Sequence, residues 1–419
     1  MIWRVAYRLL LWLAFPWVLL HLWWRGRRQP GYREHIAERF GWYRTRPRRP
    51  VIWLHAVSVG ETRAAEPLVR ALAARYPEHE LLLTQMTPTG RETAQQLYGD
   101  AATIAYLPYD YPGAVGRFLA RFRPRLGILM ETEIWFNLVE YCKRRDVPLL
   151  LANARMSEKS ARGYALVGPL TRGALGGLAA VSAQSREDAE RLERLGARGV
   201  EVTGNLKFDV ALPPQTLALG AELRQRIGRR PVLLAASTRE GEEGLVLEAL
   251  SRIRVEGLLL LLVPRHPQRF DEVAALLARR NISYLRRSDD RPLLPDCRVL
   301  LGDSMGEMAA YYAACDLAFI GGSLLPYGGQ NLIEACAVGR PLLFGPHMYN
   351  FAEASRMAVA AGAAIEVADV VMLGERAEEL LSDQAALARM SQAALTFNRA
   401  HQGATARNLA ICERLLPPH

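Results

Sequence analysis

Beyond residue 50 the chain is divided into short apolar runs that show no alternation of period two, each followed by a helix-like stretch. VIWLHAVS (51–58), LLLT (81–84), TIAYLP (103–108), LGILMET (126–132), VPLLLAN (147–153), LAAVSA (178–183) and VEVTGN (200–205) form a first series. PVLLAAS (231–237), GLLLLLVP (257–264), RVLLGD (298–303), LAFIGG (317–322) and RPLLFG (340–345) form a second. Strands apolar on both faces, joined by crossover helices such as 61–75, 113–122 and 185–195, predict parallel sheets covered on both sides. Between the two series, Lys207 to Arg230 carries Pro213-Pro214 and no strand signal, which predicts a linker. The organisation expected is an α/β chain of two Rossmann-like domains, residues 51–205 and 231–385, with a linker at 206–230 and one long terminal helix within 386–419. A cleft between two such domains is the expected place for ligands.

The first 50 residues differ in kind. From Leu9 to Trp24 sixteen residues carry no charge. At 1.5 Å per residue the run reaches about 24 Å, against roughly 30 Å of bilayer hydrocarbon. It is expected to be a membrane anchor that either spans marginally or lies in the interface, the alternative being a buried helical hairpin of the first domain; Pro16 suits either. Eleven arginines against Glu34 and Glu38 give residues 1–50 a net charge of +9 out of the chain's +10. The body is near neutral and the basic charge is a collar on the anchor, so a nucleic-acid partner is not expected. Arginines after the run outnumber Arg4 and Arg8 before it, which places the body in the cytoplasm, with anionic lipids as a second attachment. No small-x-small cleavage site follows the run. The five cysteines stand far apart with no CxxC pair, which excludes a thiolate zinc site and points to a reducing compartment.

The chemistry gathers at strand ends, where open α/β sheets bind ligands. Glu61, in HAVSVGE, follows a strand and a glycine turn at a helix start, where the helix dipole favours the ionised form that a general base needs. It fits equally a glutamate capping its own helix. Glu131 and Glu133 repeat the placement after another strand, either facing a cleft or bridged to a neighbouring arginine. Lys207, one of three lysines in the chain, falls at the predicted hinge. In the second series, Gly321-Gly322-Ser323 ends a strand and Gly328-Gly329-Gln330-Asn331-Leu332-Ile333-Glu334 is expected to open a helix running to Val338. Paired glycines let a phosphate approach backbone N–H groups, and Glu334 can accept from ribose hydroxyls. Arg265-His266 and Ser304-Met305-Gly306-Glu307 add polar groups to the same rim. With no GxxxxGK[ST], early GxGxxG or DxD pair, kinase, dinucleotide and metal-phosphate readings weaken.

HAVSVGE, METEIW, NARMSEKS, VTGNLKFD, VPRHP, GDSMGEM and GGQNLIEA…GRPLLFGPHMYNF, in this order along nearly the whole chain, resemble the Kdo transferase family. The resemblance implies a GT-B fold and inverting transfer of 3-deoxy-D-manno-octulosonic acid (Kdo) from CMP-Kdo to the lipid A precursor (lipid IVA) in lipopolysaccharide core biosynthesis. It places the enzyme on the cytoplasmic face of the bacterial inner membrane. It implies Glu61 as general base, with Glu131 and Lys207 stabilising the transition state. Arg265 and His266, then Met305, Gly306 and Glu307, then Asn331, Leu332, Ile333 and Glu334 match its CMP-binding segments. No cofactor and no metal is expected. The chain departs from many relatives at Gln330 and Leu332, where they show histidine and proline. Two other classes compete: a nucleotide-sugar 2-epimerase of the same two-domain build, and a non-catalytic membrane protein that senses a nucleotide.

Overall fold

The structure, a computed structural model, describes residues 2–209, 214–289 and 291–416. Residues 210–213 within the expected linker, Met1, the Arg28 side chain, Asp290 and 417–419 lie outside the described residues. The chain forms two compact units, residues 1–210 with 402–419 and residues 211–401.

The first unit holds a parallel sheet of β1 (Val51–His55), β2 (Glu80–Gln85), β3 (Ala102–Tyr106), β4 (Pro124–Met130), β5 (Leu149–Ala154), β6 (Ala180–Ala183) and β7 (Val200–Val202). Its order is β3-β2-β1-β4-β5-β6-β7, so the winding reverses between β1 and β4. Successive residues of one strand feed opposite cores, which is why the runs read as continuously apolar. Val51 and Trp53 join Phe118, Leu129 and Leu151 on one face. Ile52 and Leu54 join Leu83, Leu126 and Ile128 on the other.

The second unit is built from β8 (Val232–Thr238), β9 (Leu259–Pro264), β10 (Tyr284–Arg286), β11 (Val299–Leu301), β12 (Leu317–Ile320), β13 (Leu342–Phe344) and β14 (Ala364–Glu366). The order β10-β11-β9-β8-β12-β13-β14 puts its reversal between β8 and β12. The two α/β sheets are those expected, and β10 and β14 are three-residue strands that the apolar runs did not disclose.

Two boundaries need correction. The expected linker contains a 3-10 turn, Leu206–Asp209, and then a 14-residue helix, Pro214–Ile227, belonging to the second unit. Pro214 stands in the first turn of that helix, where a missing N–H costs nothing; Arg224 donates to the Ala314 carbonyl at 3.2 Å and pairs with Asp316 at 3.1 Å. The expected single terminal helix is two, Gln384–His401 and Ala404–Leu415, broken at Gly403 with φ +92°. The Asp209 carboxylate takes the N–H groups of Gly403 (2.7 Å) and Thr405 (2.5 Å), and the Tyr76 hydroxyl donates to the Leu416 carbonyl at 2.9 Å. The last helix thus returns to the first unit.

The anchor is one helix, Ile2–Arg28, of 27 residues, with Pro16 accommodated inside it. One side docks on the first unit. Tyr7 donates to Asp110 at 2.9 Å, Arg8 to Asn137 at 3.0 Å, and Arg4 to Glu140 at 3.0 Å. Phe15 meets Phe40 and Tyr111 edge-on. The opposite side, with Leu10, Leu13, Trp17, Leu20 and Trp24, is exposed. Residues 2–27 are long and apolar enough to cross a membrane.

Candidate active site

In the first unit the acidic groups fall at the β1/β4 reversal, where the carboxyl ends of adjacent strands leave a crevice. β1 ends at His55, and Ser58 caps the short helix Val59–Ala64. The Glu61 N–H donates to Ser58 Oγ at 3.3 Å, while the Glu61 carboxylate accepts from Ser58 Oγ (3.0 Å, Oε1) and the Val57 N–H (2.8 Å, Oε2). This is reciprocal capping, and it fixes the carboxylate's position rather than competing with a chemical role. Burial pushes the Glu61 carboxyl up to about 7; the Val57 and Ser58 donors pull it down, and Glu131 and Glu133 push it further up. Against the ionised form expected at a helix start, burial raises the carboxyl despite the Val57 and Ser58 donors. A half-ionised carboxyl near neutrality can both take and return a proton.

Glu131 directly follows β4 with φ +56°, a left-handed backbone that non-glycine residues rarely adopt. Its N–H donates to the Ala152 carbonyl at 2.9 Å, and its Oε1 stands 3.5 Å from Lys207 Nζ. The salt bridge is thus made, with lysine rather than arginine as the partner. Burial raises the Glu133 carboxyl, which accepts from Trp135 Nε1 at 2.7 Å. Lys207 is presented by a polar chain. Its N–H donates to Asn205 Oδ1 (3.0 Å), Asn205 Nδ2 donates to Gln184 Oε1 (3.0 Å), and Gln184 Nε2 donates to the Asn153 carbonyl (2.9 Å). Asn153, at φ +53° and fully buried, accepts from the Leu206 N–H at 3.0 Å and leaves Nδ2 without a partner. Glu131 and Asn153, at the ends of β4 and β5, thus both hold left-handed backbones on this rim.

In the second unit the expected donor residues lie at the ends of β9, β11 and β12. His266 Nε2 stands 2.9 Å from Arg239 Nη1. Burial, then Arg239, Arg265 and Arg269, lower the imidazole's pKa, so it is neutral and accepts. Glu307 accepts from Ser304 Oγ at 2.6 Å and pairs with Arg287 at 3.4 Å, and Met305 is exposed beside it. Asn331 Nδ2 donates to Glu334 Oε1 at 3.0 Å.

The glycine-rich turn differs from expectation. Its helix is only Ile333–Ala337, not a helix opening at Gly328, because Gly328 and Gly329 take φ +91° and +75°. Leu332 and Ile333 are core side chains, so only their main chain is open to a ligand, and the Ile333 N–H is already given to Asn331 Oδ1 at 3.0 Å.

The sequence motifs above do not include two buried carboxylates at the β8 end. Glu242, fully buried, accepts from the N–H groups of Arg239 (2.9 Å), Gly322 (2.5 Å), Ser323 (2.9 Å) and Leu324 (3.1 Å). Glu243, also buried, takes Thr238 Oγ1 at 2.8 Å and Arg269 at 2.5 Å. The strand-end rule that singled out the other loops applies equally to STREGEE and would have found them.

Residues 34–210 match the family model described as 3-deoxy-D-manno-octulosonic-acid transferase (kdotransferase), and 283–397 match glycosyl transferases group 1. The 3-deoxy-D-manno-octulosonic acid transferase of Bordetella pertussis is 46% identical over 98% of this chain and 99% of its own length. That of Haemophilus influenzae is 36% identical over 99% of each. Among solved structures, a glycosyltransferase from Rickettsia africae shares the fold at TM-score 0.60 and 14% identity, over 89% of this chain and 100% of its own. With identity of this degree over essentially full length, the chain belongs to the Kdo transferase family of GT-B glycosyltransferases.

Proposed function

We propose that the protein transfers Kdo from CMP-Kdo to the lipid A precursor, lipid IVA, with inversion at the anomeric carbon, and that Glu61 is the base. The acceptor's primary hydroxyl gives its proton to the Glu61 carboxylate as its oxygen bonds to the anomeric carbon. The bond from that carbon to the phosphate oxygen breaks, and CMP departs with the electron pair. Lys207 and Glu131 hold the charge pattern beside the base, the lysine countering negative charge and the carboxylate fixing the lysine. Arg265, His266, Gly306, Glu307, Asn331 and Glu334 carry the nucleotide, with side chains or main chain. Leaving-group charge falls to cations and backbone dipoles, and no metal or cofactor enters the scheme.

The observation that carries this reading is a capped, fixed carboxyl near pKa 7 at the sheet reversal, with a lysine paired to a second carboxylate on the same rim. The helix Ile2–Arg28 holds this unit at the cytoplasmic face of the inner membrane. Because one side is pinned from Arg4 to Phe15, the exposed apolar side meets lipid in the interface, and the arginine collar meets anionic headgroups. Replacing Glu61 with alanine tests the base. Transfer of labelled Kdo to lipid IVA collapses while CMP affinity stays at the wild-type value; transfer at the wild-type rate would remove Glu61 from the mechanism.

A further inference from the structure

We propose that Arg239 is the residue with which the second unit grips the anionic group of its sugar donor, a carboxylate or phosphodiester oxyanion. The assignment rests on the donor reading above and adds a residue to it. Arg239 is the first residue beyond β8, at the edge of the β8/β12 reversal. Its main chain is fixed by Glu242, whose buried carboxylate spans from the Arg239 N–H to those of Gly322, Ser323 and Leu324, tying the loop after β8 to the loop after β12.

The side chain is held as firmly. Its guanidinium lies over the Tyr327 ring, 4.8 Å from the centroid, and the Tyr327 hydroxyl is itself anchored on the Glu240 carbonyl at 3.1 Å. Nη1 is directed at His266 Nε2, 2.9 Å away.

What the guanidinium lacks is a counterion. Arg269 next to it is neutralised by Glu243 at 2.5 Å and Glu272 at 3.3 Å. Arg239 pairs with no carboxylate among the described residues, and its one side-chain hydrogen-bond partner is a neutral imidazole. Nε and Nη2 therefore keep a planar pair of donors for an oxyanion, the geometry in which arginine binds carboxylates and phosphates two-pronged. A cation oriented in advance by an aromatic face, an imidazole and a locked main chain, and left without an anion, is a receptor for one.

The test uses the full-length protein in detergent, with Arg239→Gln and Arg239→Lys, measuring calorimetric affinity for CMP and steady-state KM and kcat with CMP-Kdo. Arg239→Gln raises the donor KM roughly ten- to hundredfold, and Arg239→Lys recovers only part of it, because lysine keeps the charge and loses the fork. If CMP affinity falls in parallel, the phosphate is the group gripped; if CMP affinity is unchanged while KM rises, it is the sugar carboxylate. A donor KM and CMP affinity within twofold of wild type, in a variant whose melting curve shows it folded, would overturn the assignment. A fall in melting temperature and kcat without a change in KM would also overturn it, as a purely structural role. A wild type that neither binds CMP nor uses CMP-Kdo would instead remove the donor reading, and this assignment with it.

Discussion

Lys207 Nζ stands 3.5 Å from Glu131 Oε1, and Glu131 holds its side of that pair from a left-handed backbone at φ +56°. A glycine would adopt this backbone without strain, so Glu131 presents its carboxylate here at a conformational cost.

Glu131→Gly should accordingly leave stability unchanged or raise it by about 1 kcal/mol, relief of strain offsetting the loss of a partly exposed ion pair. Transfer activity should fall at least tenfold. Melting temperature and initial rate, measured on the same preparation, check this. A variant destabilised by more than about 2 kcal/mol with activity intact would make the pair structural.

Glu61 gives a pH signature. Its carboxyl is raised from 4.5 to about 7, so the folded state binds the proton more tightly than the unfolded chain. The resulting stability is complete below pH 4.5 and is lost as pH rises through 7, by an amount bounded at about 3 kcal/mol. Glu61→Gln removes this dependence, so the stability of the variant relative to wild type should climb between pH 5 and 8 in denaturant titrations. The wild-type kcat should rise through pH 7 as the base ionises, and the variant should lose about 10²- to 10⁴-fold with no such rise.

Glu242 accepts four main-chain N–H groups from two loops while fully buried. Glu242→Ala leaves these donors without partners and should cost the second unit about 3 kcal/mol or more. The melting transition of that unit and the CMP affinity should fall together. A melting curve identical to wild type would contradict the role given to this carboxylate.

The anchor helix is testable on its outer side. Leu13 and Trp17 are 79% and 63% exposed on the side away from Tyr7 and Arg8. Leu13→Glu with Trp17→Glu should weaken co-sedimentation with phosphatidylglycerol vesicles at least tenfold while leaving transfer to detergent-dispersed acceptor intact. High salt alone should weaken binding only in part, since the collar supplies the electrostatic share. Unchanged sedimentation of the double variant would mean that another segment holds the bilayer.

Much of this was readable in advance because buried parallel strands are apolar on both faces, so runs such as LLLANA and LLLLVP announce themselves. Tyr284–Arg286 and Ala364–Glu366 did not, since three-residue edge strands carrying Arg286 and Glu366 lack such a run. The helix Pro214–Ile227 was hidden by prolines that mark a helix start as readily as a break. Glu61, Glu131 and Lys207 could be named from local motif and resemblance. Glu242 could not be assigned its partners, because they lie about 80 residues on, across the β8/β12 reversal. Leu332 and Ile333 fall inside the matched segment, yet tertiary packing turns their side chains into the core.

The most direct measurement is mass spectrometry of lipid IVA incubated with CMP-Kdo and the purified full-length protein, wild type beside Glu61→Gln, with CMP affinity measured on both. The account predicts that wild type adds one or more Kdo residues, that the variant adds none in the same interval, and that both bind CMP alike. An acceptor left unmodified by wild type, or modified equally fast by the variant, would contradict it.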